Sequence, residues 1–366
     1  MRILLAIATL GAGGAERVMT VLADAFVGRG HQVTLMTLDS NRSDFFSVSQ
    51  SVERIALGRY GATRSWIGRF YANLVRVWEI RNVVRRVRPD VVVSFITEMN
   101  MLTIVACAGQ NTPVLISERV DPRIHRIGRA WNWLRWITYR RATGLVVQTN
   151  AVAEWVTAAH SGLPPVTVIP NPVLQLSVPQ APNVPGTRAY LFAAGRLIHQ
   201  KGFDVLIRAF ALLVRQGMAL DLVIAGEGGE ESELRRLSSE LEMSSRVRFI
   251  GRVENLRSWM AASFAFVLPS RYEGFPNVLL EALACGTATI ATDCPSGPKE
   301  ILANGKYGLL VPCEDPAAIA TAVVTLQTNP DIRAQLRKIG PSVVERFGVQ
   351  AIAARWESLM QRAIFP

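Results

Sequence analysis

At 366 residues, 49% of them hydrophobic, the chain exceeds one ordinary core and predicts two domains of average size. Its net charge of +11 is lopsided, with 20 Arg against 11 acids in residues 1–170 and 20 Lys plus Arg against 18 acids in residues 171–366. Four scattered cysteines, Cys107, Cys285, Cys294 and Cys313, form neither a metal spacing nor a disulfide framework, which excludes a disulfide-stapled secreted fold and points to a reducing compartment.

The chain opens on the apolar run RILLAIA, a strand, followed by Gly11-Ala12-Gly13-Gly14 and a helical pattern over residues 15–29. A signal peptide is the rival reading of this start. The next strand, Gln32 to Leu38, completes a βαβ unit instead, and the expected location is cytoplasmic. The glycine run fails the dinucleotide fingerprint, because Glu16 stands where the third glycine belongs. One or two glycines suffice for a tight turn; three in four favour close approach of backbone N–H groups to a phosphate.

Residues 54–141 carry 16 Arg against 5 acids, with Trp66, Trp78, Trp131, Trp133 and Trp136 among them. Within that stretch, residues 64–88 predict an amphipathic helix with seven Arg, including Arg64, Arg69 and Arg76, and one acid. Residues 123–141 form a second basic, Trp-rich segment holding Arg123 and Trp131. Arg beside Trp suits an anionic membrane surface, where rings sit at headgroup depth and guanidinium groups meet phosphates; part of the apolar stripe must also pack as core. The most apolar stretch, residues 91–109, contains Glu98 and Asn100, so it reads as a strand and a helix rather than a membrane span.

Further strands follow at DVVVSFI, PVLIS, GLVVQT and VTVIP, then a Pro-rich linker over 171–188, then AYLFAAG, LDLVIAG, RVRFIG, FAFVLPS, ATIATD and YGLLVP. Strands alternating with helices mean parallel sheets covered on both faces. The expected division is 1–170, linker 171–188, 189–345 and a last helix 346–366: two doubly wound α/β domains facing each other across a cleft. Ligands of such sheets bind beyond the carboxyl ends of the strands.

At one such end, GRLIHQKG (195–202) places Arg196 and Lys201 in one glycine-bracketed loop, a natural diphosphate clamp when not merely solvated. At another, RYEGFPNVLLE (271–281) sets Glu273 before a helix expected to start near Pro276, and Glu281 inside it. Their separation along a helix axis is about 12 Å, wider than the roughly 5 to 5.5 Å of a retaining glycosidase pair. They do not form an acid and nucleophile pair. They suit gripping the two ends of one elongated ligand whose anionic middle rests on the N–H groups near Asn277 and Val278, and a nucleotide diphosphate sugar has that shape. GRVENL (251–256), with Val253, offers backbone to a nucleobase; SGPKEIL is a weaker turn signal. The four histidines are scattered, and no zinc-protease motif, Walker loop or nucleophile elbow occurs.

Taken together, GGAERV, GRLIHQKG, the Glu273 to Glu281 spacing in EGFPNVLLEAL and SGPKEIL resemble glycosyltransferase family 4 over nearly the whole chain. The resemblance implies a GT-B fold and metal-independent transfer with retention at the anomeric carbon, with no cofactor beyond the nucleotide-sugar donor. It gives Arg196 and Lys201 the leaving diphosphate, Glu273 the donor-sugar hydroxyls and Glu281 the ribose. The donor loop then takes in Phe275, Pro276, Asn277 and Val278, and Gly13 and Gly14 close over the phosphates from the other domain. Where many members carry a histidine, this chain reads SERVDPR (117–123). Glu118 is then a candidate to orient the acceptor hydroxyl, or else a salt-bridge partner of Arg119 or Arg123. With the basic first half, the expected acceptor is a polyprenyl-diphosphate-linked saccharide at the inner face of a membrane, met by Arg64, Arg69, Arg76, Arg119, Arg123 and Trp131. A soluble acceptor (a GDP-mannose enzyme or an epimerase) and a basic nucleic-acid-binding protein are the alternatives; the latter is set aside for want of a reading motif and because the aromatics look buried in helical patterns.

Overall fold

The computed structural model describes residues 1–61, 66–123, 127–174 and 188–365. Arg64, His125 and most of the Pro-rich stretch, residues 175–187, lie outside them. The chain divides into two units, Met1–Pro172 with Val349–Pro366, and Val173–Gly348.

The first unit is a seven-stranded parallel sheet built from β1 (Arg2–Ile7), β2 (Gln32–Thr37), β3 (Glu53–Ala56), β4 (Val91–Phe95), β5 (Val114–Ser117), β6 (Gly144–Val147) and β7 (Val166–Val168). Their order is β3-β2-β1-β4-β5-β6-β7, so the winding reverses between β1 and β4. Alternate residues of β1 feed two cores. Ile3, Leu5 and Ile7 pack with Val18, Leu22 and Phe26 of the helix Gly14–Gly28 and with Ile352, Trp356 and Met360 of the last helix, Val349–Ile364. Leu4 and Ala6 pack on the opposite face with Ile80, Val84, Ile104 and Tyr139. The last helix is further tied down where Glu357 accepts from Arg29 Nε and meets His31 Nε2, both at 2.9 Å.

β3 has no counterpart among the expected strands. It is a four-residue edge strand, ERIA, whose Glu53 accepts from Thr34 Oγ1 at 2.8 Å and whose Arg54 pairs with Asp44, so its polar side chains hide the alternation that marks a strand.

The second unit is a six-stranded parallel sheet of β8 (Ala189–Ala194), β9 (Leu220–Ala225), β10 (Val247–Phe249), β11 (Ala265–Leu268), β12 (Thr289–Thr292) and β13 (Leu309–Val311), in the order β10-β9-β8-β11-β12-β13. Leu191 and Ala193 face Leu206, Phe210, Ile319 and Val323, whereas Phe192 and Ala194 face Leu279, Leu283 and Ile301. The winding reverses between β8 and β11, and the loops after these two neighbours carry the GRLIHQKG and RYEGFP segments. That is where an open doubly wound sheet binds its ligand.

No helix of the described residues is long and apolar enough to cross a membrane.

Candidate active site

After β8 the chain makes a short 3-10 turn, His199–Lys201, and after β11 it runs Pro269-Ser270-Arg271-Tyr272-Glu273. These loops meet: Lys201 Nζ donates to Glu273 Oε1 at 2.6 Å, and Ser270 Oγ donates to the same oxygen at 2.6 Å. Side-chain exposures of 14% and 6% make this a largely desolvated ion pair rather than two surface charges. Both bonds use Oε1. Oε2 takes no hydrogen bond from any described residue, which leaves one carboxylate oxygen for a ligand hydroxyl, while two of the three Lys201 N–H groups remain for an anion. Gly202 allows the approach: at φ +63° it stands so close to the Pro269 carbonyl that a Cβ would lie 2.2 Å from that oxygen.

The helix behind Glu273 runs Asn277–Ala284, with Pro276 as its N-cap rather than its first helical residue, and no side chain caps it. Asn277 and Val278 are half-buried at its start. Glu281, one turn in, is buried at 5% exposure, so neither acid of the pair is a surface carboxylate. Phe275 points inward, edge-on to Phe347 at 5.7 Å, and anchors the loop from its core side. Val253 is half-buried against the same core. The guanidinium of Arg196 is exposed and bonds no described residue.

The turn before the short helix Pro298–Ile301 does more than redirect the chain. Ser296 Oγ donates to the Glu273 carbonyl at 2.7 Å, and Gly297, at φ +100°, is pressed on Pro276, where a Cβ would meet the ring at 2.7 Å. SGP thus supports the Glu273 loop.

In the first unit Gly13 caps the helix Gly14–Gly28, and the Glu16 carboxylate folds back over it, accepting from Thr9 Oγ1 at 3.3 Å. Glu118, just beyond β5, is 4% exposed. Thr97 Oγ1 donates to both of its oxygens at 3.1 and 2.9 Å, Tyr139 OH donates to Oε1, and Arg135 Nη1 lies 3.9 Å away. Burial, reinforced by the Glu118 charge, raises the Tyr139 phenol well above its ordinary pKa, so it stays a donor. Of the salt-bridge partners weighed for Glu118, neither is used: Arg123 forks onto Asp121, and Arg119 lies 4.0 Å over the Phe95 ring. Arg119 is 7% exposed; its Nη1 reaches Ser117 Oγ at 3.3 Å, but Nε and Nη2 have no partner among the described residues, and burial lowers its pKa to about 9.

The basic segments sort into two kinds of arginine. Arg76 bonds the carbonyls of Arg59 and Gly61, and Arg81 those of Ala106 and Ala108, so both are loop and helix caps. Arg69, Arg85, Arg86 and Arg88 are exposed. The expectation that the aromatics are buried fails for most of them. Ile80, Val83 and Val84 take the inner face of the helix Trp66–Val87, which turns Phe70, Tyr71, Leu74 and Trp78 outward; Trp131 and Trp133 of the helix Arg129–Tyr139 are also exposed, and Trp136 is buried.

Among the described residues no group of three or more His, Cys, Asp or Glu could hold a metal ion. Burial pushes the Cys107 and Cys294 thiols up to about 12 and Cys285 to about 11, so these are not thiolate nucleophiles at neutral pH.

Residues 12–173 match the family model Glycosyltransferase Family 4, and residues 177–343 match Glycosyl transferases group 1. The chain belongs to glycosyltransferase family 4. Among its relatives is the Campylobacter jejuni enzyme named GalNAc-alpha-(1->4)-GalNAc-alpha-(1->3)-diNAcBac-PP-undecaprenol alpha-1,4-N-acetyl-D-galactosaminyltransferase, 26% identical over 362 residues and 98% of each chain. A second enzyme of that organism, an N-acetylgalactosamine-N,N'-diacetylbacillosaminyl-diphospho-undecaprenol 4-alpha-N-acetylgalactosaminyltransferase, is 35% identical over 144 residues, 39% of each chain. Sucrose-phosphate synthase from Thermosynechococcus elongatus superposes with a TM-score of 0.84 at 21% identity, over 99% of this chain and 98% of its own, and Anabaena HepE with 0.79 at 17%, over 99% and 100%. The fold is GT-B.

In this glycosyltransferase the structure joins Lys201 to Glu273, a contact across 72 positions that no local pattern announces. Ser270, Arg271 and Ser296 also escaped the sequence reading. Their signal was proximity: Ser270 and Arg271 lie three and two positions before the carboxylate of RYEGFP, and Ser296 precedes the glycine of SGP.

Proposed function

We propose that this glycosyltransferase moves a hexose or N-acetylhexosamine from a UDP-sugar to a lipid-diphosphate-linked saccharide, with retention at the anomeric carbon and without a metal. The observation that carries the donor half is the Lys201–Glu273 pair at the carboxyl ends of adjacent strands β8 and β11, with one carboxylate oxygen unengaged. Glu273 Oε2 accepts a donor-sugar hydroxyl. Lys201, exposed Arg196 and the helix start at Asn277 hold the diphosphate as it leaves. Glu281 takes the ribose. The departing phosphate accepts the acceptor proton on the face it leaves, so the protein supplies orientation and charge rather than an acid–base pair.

The acceptor half rests on the first unit. Arg119 is a desolvated cation whose Nε and Nη2 bond no described residue. A phosphate oxygen of the acceptor is the partner we assign to it. Lipid-linked acceptors also agree with the names of the Campylobacter relatives, and a UDP donor agrees with the UDP complex of Anabaena HepE. Phe70, Tyr71, Leu74 and Trp78, beside exposed Arg69, Arg85 and Arg86, would rest on the anionic inner face of the membrane. Exposed aromatics beside arginine could equally stack bases, but nucleic-acid binding gives Lys201 and Glu273 no role.

The test is transfer from labelled UDP-sugars to a polyprenyl-diphosphate saccharide. Label entering the solvent-extractable lipid supports the reading, and label entering water-soluble sugars alone contradicts it. A separate expectation concerns the surface. Replacing Arg69, Arg85 and Arg86 by Glu should release the protein from vesicles rich in phosphatidylglycerol, since each basic residue near such a surface contributes about 1 kcal/mol. Co-sedimentation measures this; unchanged retention would refute the docking face, and a steep salt-dependent affinity for RNA in its place would favour the nucleic-acid alternative.

A further inference from the structure

Arg271, two positions before Glu273, takes no part in the chemistry just described, yet its guanidinium donates four hydrogen bonds. Nη1 and Nη2 fork onto the two carboxylate oxygens of Asp204 at 2.8 Å each, Nη1 also donates to the His199 carbonyl at 2.7 Å, and Nε donates to Glu314 at 2.8 Å. The backbone repeats the connection: Arg271 N–H donates to the Gln200 carbonyl at 2.8 Å, and Gln200 Nε2 donates to the Tyr272 carbonyl at 3.0 Å. His199 and Gln200 belong to the turn that carries Lys201, and Asp204 lies in the first turn of the helix that follows, Phe203–Arg215. Burial alone would push the Asp204 carboxyl up; the Arg271 hydrogen bonds and charge outweigh it and hold the carboxyl below its usual value.

These contacts have one geometric consequence. Arg271 grips the turn bearing the cation, while its own loop bears the carboxylate. The Arg271 side chain is 13% exposed and that of Asp204 35%, so the guanidinium is mostly out of water, and a lysine could not reproduce its planar double contact. We infer that Arg271 is a positioning residue: it fixes the Lys201 turn against the Glu273 loop and acts on transfer only through that pair. The inference deepens the donor-site reading and rests on it for its kinetic consequence.

The chain contains four lysines, Lys201, Lys299, Lys306 and Lys338, which allows a readout that needs no substrate. In limited acetylation with an N-hydroxysuccinimide ester, followed by mass spectrometry, Lys201 should be protected in the wild type. In Arg271→Met it should label roughly tenfold faster while the other three keep their rates, because the turn opens locally. Asp204→Asn, a milder change, should move Lys201 in the same direction and serves if Arg271→Met fails to fold. With a nucleotide sugar, Arg271→Met should lower kcat/KM by about 10- to 100-fold in the wild-type background and by less than about threefold in Lys201→Met. Unchanged Lys201 labelling in both variants, or an equal kinetic loss in both backgrounds, would overturn the inference. A wild type that turns over no nucleotide sugar would sink the donor reading instead, and the labelling would still decide what Arg271 holds.

Discussion

Lys201→Met is expected to lower kcat/KM by on the order of 10³-fold, since removing one preorganised charge from a developing anion costs that much in water-excluded sites. The loss has a second component. With the ammonium gone, Glu273 remains 5% exposed with only Ser270 donating to its carboxylate, and breaking a buried pair from one side costs about 3 to 5 kcal/mol. Glu273→Gln, which keeps the Ser270 contact, strands Lys201 in the converse way. The double variant Lys201→Met, Glu273→Gln should therefore regain much of the stability that each single variant loses, and none of the activity. Urea unfolding together with kinetics on the four proteins separates the two effects. If the singles lose activity while remaining as stable as the wild type, the ion pair does not hold the loops. If the double variant is active, neither side chain serves the transfer.

Glu118 is expected to give the opposite signature, a loss of stability ahead of any loss of chemistry. Its carboxylate receives Thr97 and Tyr139 and faces Arg135, a guanidinium at 1% exposure, so Glu118→Ala leaves buried donors and a charge uncompensated. We expect a destabilisation of about 3 kcal/mol in the unfolding of the first unit. Glu118→Gln retains the shape, and below its melting range it should keep turnover within about tenfold of wild type. Should Glu118→Gln melt like the wild type and yet lose turnover by 10³-fold or more, the carboxylate acts on the acceptor hydroxyl as SERVDPR suggested. Circular dichroism melts beside initial rates decide between the two.

The contrast between these residues marks what the amino-acid sequence discloses. Strands buried on both faces, such as β1 and β11, announce themselves as continuous apolar runs, and their alternation with helices gives the doubly wound class. β3 does not, because an edge strand that pairs on one side tolerates Glu53 and Arg54. The donor loops were legible as glycine-bracketed charges at strand ends. Their pairing was not, for Lys201 reaches Glu273 only after β8 and β11 lie side by side. Arginine was least legible of all. Arg76, Arg119, Arg135 and Arg271 are the same letter, yet one caps backbone, one stacks on Phe95 without a counter-charge, one is sealed in a polar network and one braces the donor turn. Helical periodicity likewise placed an apolar face on residues 64–88 without saying that Phe70 and Trp78 stay outside the core.

Metal-free calorimetric titration of the full chain with UDP, GDP and ADP tests the donor site directly. UDP should bind with micromolar affinity, Glu281→Ala should weaken it at least tenfold by removing the ribose contact, and Glu273→Ala should spare it while damaging turnover. Affinity for none of the three nucleotides would leave the Lys201 loop without a ligand, and a UDP affinity unchanged in Glu281→Ala would return Glu281 to a structural role.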